Sequence, residues 1–254
     1  MRVLITNDDG ILAPGLSVME RIAASVADEV WTVAPETDQS GIGHALTLSN
    51  PLRIREVEDR RFAVSGTPAD CAIVGVRSIL PEPPDLVLSG VNAGQNIADD
   101  VVYSGTIGGA MEGRLMGIPA IAVSQAYRWQ ESKYIPWETV ERHGPELIGI
   151  LATMRFDGST FLNVNFPSVD PSEVKGVRAV RQGSVDHSLE AEERTDTRGN
   201  AYHWLRFARG EPLAQEGSDV AALRDGYITV TPLNVDLTSV HAMDAVADRL
   251  ALRD

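Results

Sequence analysis

Asp8 and Asp9 stand side by side at the point where the apolar run Val3-Leu4-Ile5 gives way to Asn7-Asp8-Asp9-Gly10. Two ionised carboxylates held together repel, and a hard divalent cation between them is the usual relief. The plainer reading is an Asx-rich turn that caps the helix after it. Ser40, in the polar stretch 36–44, and Asn92 and Asn96, in the stretch 89–99, add oxygen donors of the same hard kind. Asp, Asn and Ser oxygens without His or Cys suit Mg²⁺, Mn²⁺ or Ca²⁺ rather than Zn²⁺. Ser104-Gly105-Thr106 opens a helical stretch. Its free N–H groups, two hydroxyls and the positive end of the helix dipole make a seat for an anion, where glycine permits close approach. An ordinary Ser or Thr N-cap is the alternative there. A hard cation beside an anion seat points to phosphate-ester chemistry, with Asp8 or Asp9 acting as ligand, base or nucleophile. His44, four residues past Ser40, is either a proton donor to a leaving alkoxide or a structural loop histidine.

These residues can act together only if the fold brings them to one rim. Residues 3–5 read as a buried parallel strand, 15–27 as a helix, and 29–35 as a second strand closing a β-α-β unit. Residues 52–57 and 61–65 alternate around a charged turn as a hairpin, and Thr67-Pro68 starts a helix reaching about residue 80. A third strand at 85–89, a helix at 104–116 and a fourth strand at 118–124 follow. The order predicts a Rossmann-like, doubly wound, mostly parallel α/β sheet, with residues 1–125 as catalytic core. In such sheets ligands bind beyond the carboxyl ends of the strands, where the polar stretches fall. Residues 126–254 are expected to complete the fold and to supply an oligomer interface. They read as a helix (137–154), strands (160–165 and 177–180), a short helix (219–224), a strand (227–231) and an amphipathic tail helix (239–252). The acidic stretch 182–209 is an exposed hairpin arm or a surface loop.

Composition narrows the partners. A formal net charge of -14 over 254 residues argues against a polymeric nucleic acid, although a small anion can still bind at a local site. The single cysteine, Cys71, allows neither an intrachain disulfide nor a thiolate cluster. No apolar run reaches the roughly 20 residues of a membrane span, and the first residues lack the pattern of a signal peptide. The expectation is a cytoplasmic protein.

The segments ITNDDG, DQSGIGHALT, SGVNAGQN and DVVYSGTIGGAMEG, in that order, resemble the SurE (survival protein E) family, and SGTPADC and VTPLNVDLT extend the likeness over almost the whole chain. The resemblance implies a metal-dependent phosphatase acting on nucleoside 5′-monophosphates, often on 3′-monophosphates too. It implies a Rossmann-like core whose C-terminal extension serves dimer or tetramer assembly. Position by position, it implies one divalent cation per subunit, Mg²⁺ or Mn²⁺, held by Asp8, Asp9, Ser40 and Asn92. Phosphate contacts fall on Asn96 and on Ser104, Gly105 and Thr106, and the catalytic set on Asp8, Asp9 and Asn96. Two positions depart from the pattern: Ala98 stands where many members have glycine, and Asn234 where histidine is as readily expected. The first leaves the metal set intact, and the second weakens any contribution of the tail.

Two rival readings fail on particular residues. A receiver domain also binds Mg²⁺ through an acidic pair, but it needs an aspartate at a later strand end and a lysine after the last strands. Here the third strand runs into Ser89-Gly90-Val91-Asn92, and the two lysines, Lys133 and Lys175, follow no suitable strand. A haloacid-dehalogenase-like phosphatase needs two aspartates separated by one residue, and Asp8 and Asp9 are adjacent. A non-catalytic metal and nucleotide sensor would use the same residues as the enzyme and is separable only by turnover.

Overall fold

Val3, Leu4 and Ile5 bury both faces of one strand, and the fold is built outward from them. The structure is a computed structural model describing residues 1–127, 134–156, 158–213 and 215–251. In β1 (Arg2–Thr6), Val3 and Ile5 pack under α1 (Pro14–Val26) and α4 (Trp137–Ala152). Leu4 points the other way, to a cluster with Cys71 of α2 (Pro68–Val74) and Ile107 of α3 (Gly105–Leu115). A strand covered on both faces needs a continuous apolar run, which is why the alternating polar pattern is missing here.

β2 (Glu29–Pro35) pairs parallel with one side of β1, and β5 (Leu86–Ala93) with the other. The chain therefore moves outward from β1 in one direction, then crosses back to continue in the other. That switch opens a crevice beyond the carboxyl ends of β1 and β5. Beyond β5 lie β6 (Ala120–Gln125) and β7 (Thr160–Phe166), both parallel. The hairpin of β3 (Ile54–Glu58) and β4 (Arg61–Val64) forms as expected, and β4 also lies parallel to β2, extending the sheet. Past β7 the sheet gains β11 (Ile228–Asn234), antiparallel to β7, and finally β8 (Val177–Ala179). The nine-stranded order is β3-β4-β2-β1-β5-β6-β7-β11-β8. Both the α/β class and the doubly wound, mostly parallel sheet match the reading from sequence.

Local differences have local causes. The helix from Thr67 is α-helical only to Val74 and continues as a π turn over Gly75–Ile79. β5 does not stop at Ser89: after an irregularity it resumes pairing with β6 at Asn92 and Ala93. Asn92 is thus strand-borne, which fixes its backbone more firmly than a loop would. The acidic stretch is an arm: β9 (Ser184–Thr195) and β10 (Ala201–Leu213) form a separate two-stranded antiparallel ribbon. α5 (Asp219–Arg224) follows it, and α6 (Val240–Ala251) closes the described chain. Leu252, at the end of the expected tail helix, and Lys133 lie outside the described residues. Among the described residues, no helix is long and apolar enough to cross a membrane.

Candidate active site

The turn after β1 divides its labour among its residues. Asn7 donates from Nδ2 to the Gly10 carbonyl at 2.9 Å and so closes the turn by itself. α1 begins at Pro14 behind Ala13, with no side-chain cap. Neither Asp8 nor Asp9 is therefore used as a helix cap, and the plainer reading of the pair falls away. Asp8 is almost wholly buried at 4% exposure, and its Oδ1 accepts from Thr106 Oγ1 at 2.6 Å. Asp9 Oδ2 accepts from the Ala93 N–H at 3.0 Å, tying β1's end to β5's end.

Burial makes the pair reluctant to ionise. Desolvation pushes the Asp8 carboxyl up to about 6, hydrogen bonding from Thr106 opposes the rise, and the neighbouring Asp9 charge adds to it. Asp9 is raised as well, first by burial and then by Asp38, while the Ala93 N–H holds it down.

The remaining oxygen donors arrive from two other elements. Ser40 sits in the loop after β2, and Asp38 Oδ1 accepts both its N–H (2.7 Å) and its hydroxyl (2.6 Å). That bond spends the hydroxyl proton and leaves the Ser40 oxygen lone pairs for a ligand. The Gln39 N–H donates to the Asp8 carbonyl at 2.7 Å, pinning the loop beside the turn. Asn92 donates from Nδ2 to the Gly94 carbonyl at 2.8 Å, so its Oδ1 is the end of the amide left to coordinate.

Asp8, Asp9, Ser40, Asn92, Asn96 and Ser104 line one cleft of about 170 Å³, together with Gln95, Asp100 and Tyr103. Gly105 and Thr106 lie behind the wall. Thr106 is fully buried and its hydroxyl is committed to Asp8, so the carboxylate at the N-terminus of α3 is Asp8 itself. Ser104 caps α3, its Oγ accepting from the Ile107 N–H at 3.1 Å, and it is the member of the Ser-Gly-Thr turn that reaches the cleft. Asn96 is held on every side. Its N–H donates to Asn165 Oδ1 (2.8 Å), its carbonyl accepts from Asn163 Nδ2 (2.8 Å), and its own Nδ2 donates to Ser124 Oγ (3.0 Å).

Asp38, Ser124, Asn163 and Asn165 were missed by reading motifs, and one signal could have found two of them. Asn163 and Asn165 alternate on one face of the otherwise apolar β7, where buried amides require a purpose. His44 has a partner outside the cleft. Its Nε2 meets Glu112 Oε2 of α3 at 2.8 Å, and it is not among the residues lining the cleft. His44→Ala is expected to strip a largely buried carboxylate of its partner and cost about 1–3 kcal/mol of stability. Turnover should change less than about threefold, because His44 does not line the cleft; thermal unfolding and initial rates check both. Asn234 accepts from the Ser159 hydroxyl at the end of β11 and does not line the cleft.

Comparison with known proteins gives the family and the fold. The family model described as "Survival protein SurE" matches residues 3–188. A protein of Brucella canis named "5′-nucleotidase SurE" is 57% identical over 240 residues, covering 94% of each chain. One of Brucella abortus with the same name is 56% identical over the same coverage. The crystal structure of SurE from Aquifex aeolicus superposes with a TM-score of 0.84 at 36% identity, over 98% of this chain and all of that one. The chain belongs to the SurE family.

Proposed function

We propose that this chain is a divalent-metal-dependent phosphatase that hydrolyses nucleoside 5′-monophosphates, and 3′-monophosphates as a second class, to nucleoside and phosphate. The observation that carries the reading is the charge of the cleft. Asp8, Asp9 and Asp100 line it, and among its described lining residues there is no Lys, Arg or His. A phosphate dianion entering between such walls is repelled unless a cation is present first. The family relatives named 5′-nucleotidase support the substrate class.

The donors fit a hard cation: two carboxylates, a hydroxyl and a carboxamide oxygen. Among the described residues no three His, Cys, Asp or Glu side chains converge on a metal position, so this set is sparing in charge. Such a set suits Mg²⁺ or Mn²⁺ with part of its shell left to water or substrate. Asp8, Asp9, Ser40 and Asn92 would hold one ion per subunit. When bound, the cation supplies positive charge to the phosphoryl oxygens and lowers the pKa of water.

The chain's own residues bind and orient. Ser104 already accepts from Ile107, so its hydroxyl proton is available to a phosphate oxygen. Asn96, clamped by β6 and β7, offers its second amide hydrogen from a fixed position. Gly105 and Thr106 bring the α3 N-terminus close, Thr106 acting through Asp8. Asp9 is more exposed than Asp8; we assign it the proton of an attacking water, with Asp8 as fixed ligand. We also assign the exposed apolar side chains of the arm and tail, Trp204, Leu205, Leu237 and Val240, to contacts between copies in a homodimer or homotetramer. Localisation is assigned to the cytoplasm.

Phosphate release from a panel of 5′- and 3′-nucleoside monophosphates, with Mg²⁺, with Mn²⁺ and with chelator, tests the function. Metal-dependent release from 5′-monophosphates is the expected result. Binding of metal and nucleotide without any release would overturn it in favour of a sensor. Ser104→Ala is expected to raise KM for the nucleotide about tenfold while leaving Mn²⁺ affinity unchanged, the loss of one hydrogen bond to a charged group. Steady-state kinetics and calorimetric titration separate the two.

A further inference from the structure

The segment joining β5 to α3 carries Asn96, Asp100, Tyr103 and Ser104 on the cleft wall, and its middle is held in an unfavourable shape. Ala98 is fully buried with φ of +52°, in the left-handed region where a β-carbon crowds the carbonyl that follows. Both of its backbone groups are gripped from the C-terminal half of the chain. Asp219 Oδ2 accepts the Ala98 N–H at 3.0 Å, and Gln182 Nε2 donates to the Ala98 carbonyl at 2.8 Å. Asp219 Oδ1 accepts the N–H groups of Gly183 and Val220, each at 2.8 Å. The next residue is tied in the same way, Asp99 Oδ2 accepting the Val185 N–H at 2.9 Å.

A buried carboxylate needs a reason. Asp219 has no exposed surface, and its own helix does not supply one, because α5 is capped by Ser218, whose Oγ accepts from the Ala221 N–H. Two of the three N–H groups that satisfy it come from elsewhere, the root of the arm and the cleft segment. The fit is close: a β-carbon on Gly183 would lie 2.9 Å from Asp219 Oδ1. Ile97 and Ala98 pack beside Val220 and Leu223 of α5, so the polar grip is sealed by apolar contact.

We propose that Asp219 is a positioning residue for phosphate binding: with Gln182 it locks Ala98 in its left-handed conformation, and through that residue it sets Asn96 and Ser104 in the cleft wall. The proposal rests on the reading that Asn96 and Ser104 hold the phosphate. Asp219 itself does not line the cleft. The arm's root and the phosphate segment are consequently one hydrogen-bonded unit, although they are far apart in sequence.

Asp219→Asn keeps the side chain's shape but turns one acceptor into an amide NH₂ facing a backbone N–H. Titration of the Mn²⁺-loaded protein with inorganic phosphate should show Kd raised about tenfold, with nucleotide KM rising in parallel. Titration of the metal-free protein with Mn²⁺ should be unchanged within about twofold, because the metal ligands Asp8, Asp9 and Ser40 lie on other segments and Asn92 is fixed by β5. Adding Ala98→Gly supplies a residue that adopts positive φ without assistance, and should return phosphate Kd to within about threefold of the parent protein. A purely structural role for Asp219 would not be relieved by removing one methyl 121 positions away. If Asp219→Asn does not fold, Gln182→Ala removes the grip on the carbonyl side and should weaken phosphate about threefold, with the same rescue. Unchanged phosphate Kd in a folded variant, or equal loss of metal and phosphate without rescue, would overturn the proposal. Ser104→Ala is run in parallel. If it loses phosphate affinity while Asp219→Asn does not, the positioning role alone is refuted; if it too binds phosphate normally, the phosphate seat is misassigned and the proposal falls with it.

Discussion

Asp8→Asn is expected to lower metal-dependent phosphate release by on the order of 10³-fold, and at the same time to make the metal-free protein more stable at neutral pH. The two effects have one origin. Asp8 is buried beside Asp9, and its carboxyl is pushed from 3.8 up to about 6, chiefly by desolvation. In the unfolded chain the carboxyl ionises near its ordinary value, whereas in the metal-free fold it keeps its proton up to about 6. Between those values the native state binds more protons than the unfolded state, so stability falls as pH rises. The loss is complete above the folded value and is worth on the order of 3 kcal/mol. An amide at this position carries no such penalty. Chelator-treated Asp8→Asn should therefore unfold several degrees above the parent protein near pH 7.5 and together with it near pH 4. Adding Mn²⁺ should reverse the order, because a cation stabilises the ionised pair that the variant no longer has. A parent protein that is the more stable of the two without metal near pH 7.5 would show that the pair is not electrostatically loaded.

Gly105→Ala is expected to be nearly as damaging to activity, for steric reasons. A β-carbon at this first helical position would lie 2.8 Å from the Asp8 β-carbon and 3.0 Å from its Oδ2, with Ile42 Cγ2 at 3.1 Å. The first of these contacts is with an almost fully buried side chain at a strand end, which has little room to yield. The start of α3 must move outward, carrying Ser104 away from the cleft and Thr106 away from Asp8. A displacement of about 1 Å at catalytic groups is enough to cost on the order of 10² in rate. The loss should appear in both kcat and KM, and in Mn²⁺ affinity as well, since Asp8 loses its Thr106 partner. Ser104→Ala, by contrast, is expected to spare the metal. A Gly105→Ala variant with ordinary kcat/KM would mean that α3 does not abut Asp8 as closely as described.

Much of the site was legible because strand-end loops are local in sequence. Asp8-Asp9, Ser40 and Ser104 each follow or precede an element whose pattern is plain, Asn92 lies in the last part of β5 itself, and the parallel order sends all of them to one rim. What stayed hidden depends on contacts between distant residues. That Asn7 closes the turn, freeing both aspartates, is a matter of which side chain reaches the Gly10 carbonyl. That the Thr106 hydroxyl donates to Asp8 joins residues 98 positions apart. His44 could not be placed without Glu112, 68 positions away. Likewise a hairpin pattern specifies β3 against β4, while the parallel pairing of β4 with β2 depends on burying Phe62, Ala63 and Val64 against the core. The placement of β11 between β7 and β8 has no local signal, because periodicity reports a strand's faces and not its neighbours. Ala98, which reads as a minor departure from a glycine, matters only once its φ and its grip by Asp219 and Gln182 are seen.

The cation is the centre of the functional reading, and it can be measured without substrate. Calorimetric titration of the chelator-treated protein with Mn²⁺ near pH 7.5 should give one ion bound per chain. The same titration should give no binding for Asp9→Asn and weakened binding for Ser40→Ala. Absence of Mn²⁺ and Mg²⁺ binding to the parent protein, with phosphate release from AMP persisting in chelator, would contradict it.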